Sequence, residues 1–222
     1  MLNLDLLTKM MGYMPALLEG ALNTVLLTII SVCFGAVLGL FLALGRLSKN
    51  KMVDKVCWTY IWLFRGTPLL MQLFFIYYAL PLIHKSLTLP GQWIPALLAL
   101  SLNSAAYLAE IIRAAIQSID KGQMEAAKAL GMSYGQAMKR IIVPQSYRRL
   151  IPPVGNELIA LLKDSSLVSI IGMTELMKVT TQVSARESNA IIYIPAMVLY
   201  LIMTTVFTYV FEKFEKKYSV YE

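Results

Sequence analysis

The sequence predicts an all-α membrane protein: five transmembrane helices and a helical hairpin on the cytoplasmic side. Three observations carry this. Of its 222 residues, 58% are hydrophobic and only 15% charged, whereas soluble domains run at roughly 25% charged. No charge falls between Glu19 and Arg46 or between Glu187 and Glu212, and each window exceeds the roughly 20 residues that cross a hydrocarbon core. Finally, the connection over about 114–149 is longer than a membrane hairpin needs and carries helix-capping signals of its own. Five spans of ~20 residues take ~100 residues, which leaves no loop large enough for a second folded unit. Residues 1–222 therefore read as one membrane domain, and the composition argues against a water-soluble enzyme.

Taken in order, residues 1–17 mix Leu and Met with Asn3, Asp5, Thr8 and Lys9, and Gly12 and Pro15 interrupt them. A short helix lying on the outer membrane face is expected there, with a frayed terminus as the alternative. The stretch lacks the basic region and cleavage site of a signal peptide, so Met1 is expected to stay. The spans fall near 21–44, 56–82, 93–113, 150–171 and 190–211. The first and last carry no charge. The middle three carry internal polar groups and should line the bundle interior.

Lys/Arg asymmetry sets the orientation. Arg46, Lys49, Lys51, Lys55, Arg113, Lys121, Lys128, Lys139, Arg140, Arg148, Arg149, Lys213, Lys216 and Lys217 collect on one side, against Lys9, Lys85, Lys178 and Arg186 on the other. The N-terminus is thus expected outside and the C-terminus in the cytoplasm. The net charge of +7 reads as this orientation signal, facing membrane lipid and not nucleic acid. Trp93, Tyr77, Tyr78 and Tyr193 suit the outer boundary, Trp58 and Tyr209 the inner one. Cys33 and Cys57 read as small apolar packing residues, and His84, the sole histidine, has no companion with which to bind a metal.

Within 114–149, Asp120 can cap a first helix with Gln123 completing a capping box, and Gly131 can end it in a left-handed residue. Ser133 and Gln136 repeat the capping signal, and Pro144 should stop the second helix. Ala126, Ala127 and Ala129 offer a nearly smooth surface and Glu125 one fixed charge, which suits a docking helix; an ordinary loop helix is the alternative.

Glu125-Ala126-Ala127, Gly131 after three residues, then Ile141 and Pro144 resemble the EAA signature of ABC importer permeases, E-A-A-x3-G-x9-I-x-L-P, with Val143 where the signature has Leu. Phe64-Arg65-Gly66-Thr67-Pro68 and Leu162-Lys163-Asp164-Ser165-Ser166-Leu167 look like phrases of the polar amino acid uptake branch (histidine, glutamine and arginine permeases). The resemblance implies a type I ABC importer permease fold. It implies a second permease subunit, expected as a homodimer, an extracellular or periplasmic amino-acid-binding protein, and cytoplasmic ATP-binding subunits that grip Glu125, Ala126, Ala127 and Gly131. No G-x-x-x-x-G-K-[ST] loop occurs in the chain, so ATP and Mg are expected on those partner subunits, with no cofactor and no enzymatic activity in this one.

Inside the membrane, Arg65 falls about 10 residues beyond Lys55, hence ~15 Å along a helix, where a charge needs a partner. Gly66-Thr67-Pro68 reads as a helix break, since Pro68 lacks an amide and disfavours helical geometry at Thr67. Broken helices at mid-membrane serve transporters as substrate sites, so Gly66 and Thr67 are candidates for the substrate's α-carboxylate or α-amine; a structural kink is the alternative. Asn103, Tyr107 and Glu110 share a face by spacing. Pro152 and Pro153 should open the fourth span, which carries Glu157 and Asp164 on one face and Asn156 and Lys163 beside it. Arg65, Glu110, Lys163 and Asp164 are expected to form a buried charge network.

Glu157 has no obvious local partner, and an unpaired intramembrane carboxylate is a functional candidate. It points to cationic cargo such as arginine, lysine or histidine. Pairing of Glu157 with Arg65 or Lys163 would instead leave a neutral site suited to glutamine. Ser166, with Ser165 and Ser169, is a further candidate at the outer end, although hydroxyls there also serve helix packing. The expected function is the membrane subunit of an ATP-driven amino acid importer working by alternating access in the bacterial inner membrane. A secondary transporter or channel is the rival, and an intramembrane enzyme lacks any catalytic grouping.

Overall fold

The computed structural model describes residues 4–218, with side chains from residue 10 onward. Every regular element within that range is helical. The chain runs α1 (Leu4–Arg46), α2 (Lys51–Gly66), α3 (Leu69–Ile83, with a π turn at Phe75–Ala79), α4 (Trp93–Gln117), α5 (Lys121–Ala129), α6 (Tyr134–Ala137), α7 (Val143–Asp164), α8 (Leu176–Glu187) and α9 (Tyr193–Tyr218).

α1 is the first correction. The expected surface helix is no separate element, because α1 continues through Gly12 and Pro15, while residues 1–3 of that expectation lie outside the described residues. A proline removes one amide donor and crowds one carbonyl, and here packing outweighs the loss. Tyr13, Leu17 and Ala21 all lie against α8 and α9 and hold the early turns of α1 in line.

α1 and α4 form the central pair of the bundle. Gly35 and Gly39 face α4, where a Cβ on Gly39 would stand 2.9 Å from the Ala105 carbonyl oxygen. Ala105, Ala106 and Ala109 are buried. Small residues on both helices allow backbone approach, the usual basis of helix association where lipid removes the hydrophobic drive. Thr24 and Thr28 turn their hydroxyls back onto the Gly20 and Thr24 carbonyls at 3.1 and 2.8 Å, so α1 buries them without orphaned donors.

The second span is not a single helix. α2 and α3 meet at 104° across Gly66-Thr67-Pro68, with Thr67 and Pro68 both extended. The break falls where the sequence places it. Three helices of the described chain are long and apolar enough to cross a membrane, or four if the bent α2–α3 pair is one span. The expected fourth span at 150–171 does not qualify by apolarity, because this part of α7 carries Asn156, Glu157, Lys163 and Asp164.

Two further boundaries differ. Pro144 does not stop a helix and Pro152-Pro153 do not open one: α6 passes through a π turn at Met138–Ile142 straight into α7, with Pro144 in the first turn of α7 and Pro152 and Pro153 inside it. A widened turn just before a proline makes room for the residue that lacks a donor. α7 then tightens into a 3-10 stretch, Ser165–Ile171, which ends on left-handed Gly172 (φ 86°). The sequence reading missed α8 altogether.

Candidate functional site

α2 ends with carbonyls that no helical amide can reach, and side chains close the gap. Gln72 on α3 donates to the Phe64 carbonyl (2.8 Å), the Thr67 carbonyl (3.0 Å) and the Thr67 hydroxyl (2.9 Å). Thr67 itself donates to the Leu63 carbonyl at 2.8 Å. Asn103 on α4 donates to Gln72 Oε1 (2.9 Å) and to the Phe64 carbonyl (3.2 Å). These bonds satisfy the Leu63, Phe64 and Thr67 carbonyls, and Thr67 and Asn103 serve in the break. Gln72 was overlooked in the sequence, although a lone amide within Leu69–Phe74, an otherwise apolar helix, is the signal that marks it.

Arg65 and Gly66 sit on the open side of the same break. With Arg46, Trp58, Trp62, Tyr107 and Glu110 they line a cavity of about 410 Å³. Arg65, Tyr107 and Glu110 also line a neighbouring cavity of about 360 Å³ that reaches Arg149 and Pro153 on α7. The two form a furrow running from α2 across α4 to α7. Trp58 and Trp62 stack along its wall with ring centres 6.0 Å apart.

The charges of this furrow are mostly matched locally. Arg46 pairs with Asp54 and Arg113 with Glu110. Arg65 is in no ion pair among the described residues. Its guanidinium lies over the Tyr107 ring at 5.4 Å, a geometry that attracts a cation without neutralising it. Arg65 stands within electrostatic reach of Glu110 and Glu157, yet Arg65, Glu110, Lys163 and Asp164 do not join into one network. Lys163 and Asp164 are both exposed at the end of α7.

Glu157 is half-buried on α7 and faces the Ser104 side chain of α4. The Ser104 hydroxyl is buried without a hydrogen bond of normal geometry. Neither Arg65 nor Lys163 forms an ion pair with Glu157 among the described residues. Ser165 donates to the Leu162 carbonyl at 2.7 Å, a helix-packing role, while Ser166 is half-exposed beside it. Asn103, Tyr107 and Glu110 share a face as spaced, but Asn103 points to the helix break and the other two to the furrow.

The hairpin α5–α6 lies at the far end of α7. Asp120 caps α5 by accepting from the Gly122 amide at 2.7 Å. Gln123 closes no capping box; its side chain accepts from Gln145 of α7 at 3.2 Å and ties the hairpin to the bundle. Ser133 and Gln136 do form the expected box. Gly131 is left-handed (φ 80°), and the Met132 amide reaches back to the Ala127 carbonyl at 3.0 Å, the bond that closes a Schellman-type helix end. Ala127 is buried, while the open surface includes Glu125, Ala126, Lys128, Ala129 and Leu130, the last 82% exposed. No group of three or more metal-ligating side chains occurs among the described residues.

Comparison with known proteins agrees with this architecture. Residues 35–220 match the family described as binding-protein-dependent transport system inner membrane component. The chain is 38% identical to the arginine transport system permease protein ArtQ of Bacillus subtilis (strain 168), over 97% of this chain and 98% of that one. It is 35% identical to the glutamine transport system permease protein GlnP of Escherichia coli (strain K12), over 93% and 94%. Against the arginine transport system permease protein ArgU of Corynebacterium glutamicum it is 46% identical over 67% of this chain, spanning half the length of that protein. Its fold is similar to the crystal structure of an amino acid ABC transporter with histidines, with a TM-score of 0.88, 38% identity, and coverage of 95% of this chain and 97% of that one.

Proposed function

Because the chain belongs to the family of binding-protein-dependent transport system inner membrane components, we propose that it forms the translocation pathway of an ATP-driven importer for cationic amino acids. The observation that carries the cationic assignment is Glu157, a half-buried carboxylate with no cation paired to it among the described residues. An intramembrane charge without a partner is expensive, and an arginine, lysine or histidine side chain supplies the missing counter-charge. Arg65 takes the α-carboxylate at the other end of the substrate. This revises the roles of Gly66 and Thr67: the first leaves open space beside Arg65, while the second is held in the helix break.

Relatives named as arginine transport system permeases and a solved amino acid transporter with histidines support a cationic substrate, and a glutamine transport system permease of comparable similarity supports a neutral one. The neutral reading draws on the electrostatic reach of Arg65 to Glu157, which would balance the carboxylate without any substrate charge. The test is uptake by the assembled transporter in proteoliposomes with Glu157→Gln. Loss of a charge-assisted bond worth about 1.5–3 kcal/mol lowers arginine uptake on the order of 10- to 100-fold relative to glutamine. Unchanged selectivity between the two would remove the assignment.

The rest of the cycle follows from the family's architecture. Two permease subunits, read as identical, enclose the pathway, with α7 as the fourth crossing and its polar face turned inward. An amino-acid-binding protein delivers substrate at the outer face, where the N-terminus lies. Cytoplasmic ATP-binding subunits hold ATP and Mg and grip the hairpin at Glu125, Ala126 and Leu130. Closure of those subunits draws the hairpins together and turns the furrow outward, and hydrolysis returns it. Gradient-driven flux through this chain reconstituted without ATP-binding subunits would instead identify a secondary transporter or channel.

A further inference from the structure

Glu175 is fully buried, yet nothing in the furrow or the hairpin uses it. It caps α8, accepting from the Met177 and Lys178 amides at 2.9 and 2.6 Å. It also accepts from the Tyr200 hydroxyl of α9 at 3.2 Å and from the Thr24 hydroxyl of α1 at 3.4 Å. The neighbouring backbone is fastened to α1 as well. Asn23 donates to the Thr174 carbonyl at 3.1 Å, and the Leu176 amide donates to Thr24 Oγ1 at 3.2 Å. Gly20 lets α1 come so close that a Cβ there would lie 3.0 Å from Leu176 Cα.

This anchor lies where two packed clusters meet, both of them reached by α1 and α9. The larger cluster holds Leu27 and Val32 from α1 together with Leu73, Leu100, Leu158, Leu161, Val168 and Met173 from α3, α4, α7 and the stretch after it, and Phe207 and Phe211 of α9 pack on it. The outer cluster holds Leu17, Ala21, Leu176, Val183, Ile192 and Ala196 from α1, α8 and α9. The chain leaves the first at Met173 and enters the second at Leu176. One residue before Met173 stands Gly172, left-handed at φ 86°, where a Cβ would meet nothing within 4 Å. Its glycine serves the backbone conformation and not the packing.

We propose that Gly172 and Glu175 form an outer pivot. The limb of α7 and Ser165–Ile171, which carries Glu157, turns at Gly172 between the inward and outward states, while Glu175 bolts the far side of the pivot to α1 and α9. Glu175 is then a positioning residue for transport. It acts through the limb and not on the substrate. The inference rests on the alternating-access reading above, and it assigns the turn to one glycine, in keeping with hinges that confine φ/ψ change to a few loop residues.

The test uses the assembled transporter in a Cys33→Ala, Cys57→Ala background, with labelled permease diluted into unlabelled so that each dimer carries at most one labelled copy. Spin labels at Ile170→Cys and Ala185→Cys straddle the pivot; labels at Leu22→Cys and Ala185→Cys straddle the bolt. The first distance changes on the order of 3 Å or more between nucleotide-free and ATP-bound states, and the second stays constant. Glu175→Gln, or the milder Tyr200→Phe, broadens the second distance and lowers amino acid imported per ATP about threefold or more, with ATP hydrolysis kept within about twofold. A constant first distance in a transporter that imports normally overturns the pivot and leaves the transport reading intact. Import and hydrolysis falling in equal proportion in both variants also overturns it, as a purely structural role. Absence of import by the wild-type assembly overturns the transport reading and the pivot with it.

Discussion

Asn103 on α4 donates to Gln72 on α3 at 2.9 Å, and this bond ties the far side of the broken second span to the centre of the bundle. Gln72 in turn holds the Phe64 and Thr67 carbonyls, so one chain of amides fixes the corner where α2 and α3 meet at 104°. Arg65 owes its place on the furrow wall to that corner.

Gln72→Leu leaves the Thr67 carbonyl without a donor and the Phe64 carbonyl with only the longer bond from Asn103. A lost hydrogen bond of this kind costs about 0.5–1.5 kcal/mol, so the assembled transporter should unfold at a lower temperature in a thermal melt. Gln72→Glu should be worse, because a carboxylate cannot donate to these carbonyls. A melt unchanged in both would refute the role of Gln72.

Gly39→Val forces a branched side chain against the Ala105 backbone, where even a Cβ stands at 2.9 Å. Overpacking of this kind costs about 1–3 kcal/mol. The same change at Gly12, where nothing lies within 4 Å, should leave assembled yield and melting close to wild type, and equal losses at the two sites would contradict the packing argument.

Gly131→Ala keeps the hairpin in sequence but places a Cβ on a residue at φ 80°, a strain of about 1–2 kcal/mol. The expected result is a loosened α5–α6 corner and slower ATP-driven uptake, with substrate selectivity unaltered. Selectivity that shifted along with the rate would speak against a pure coupling role.

Leu130→Asp tests the docking surface directly. Leu130 is 82% exposed at the end of α5, and an apolar anchor at the centre of an interface is commonly worth 2 kcal/mol or more. Co-purification of the ATP-binding subunits with the permease should drop on the order of 30-fold. Retention at the wild-type level would place the contact elsewhere.

Much of this was legible in the chain itself. Composition and charge-free runs dictate a membrane bundle, because only a helix satisfies its own backbone in hydrocarbon. Gly66-Thr67-Pro68 dictates a helix break through the missing amide of proline, and Gly131 with Ser133 and Gln136 dictates a hairpin corner, because left-handed geometry and capping act within a few residues. What folding alone decided are effects between distant segments. Whether Pro15, Pro144, Pro152 and Pro153 end helices depends on the neighbours that hold each turn in place, and here packing and a π turn carry the helices through. Thr67 is held in the helix break because Gln72, on the next helix, reaches its carbonyl and its hydroxyl. Glu175 looks like any surface acid in the sequence. It becomes a buried anchor only where α1, α8 and α9 converge, since hydrogen-bond partners up to 151 residues apart exist for it nowhere but in the folded bundle.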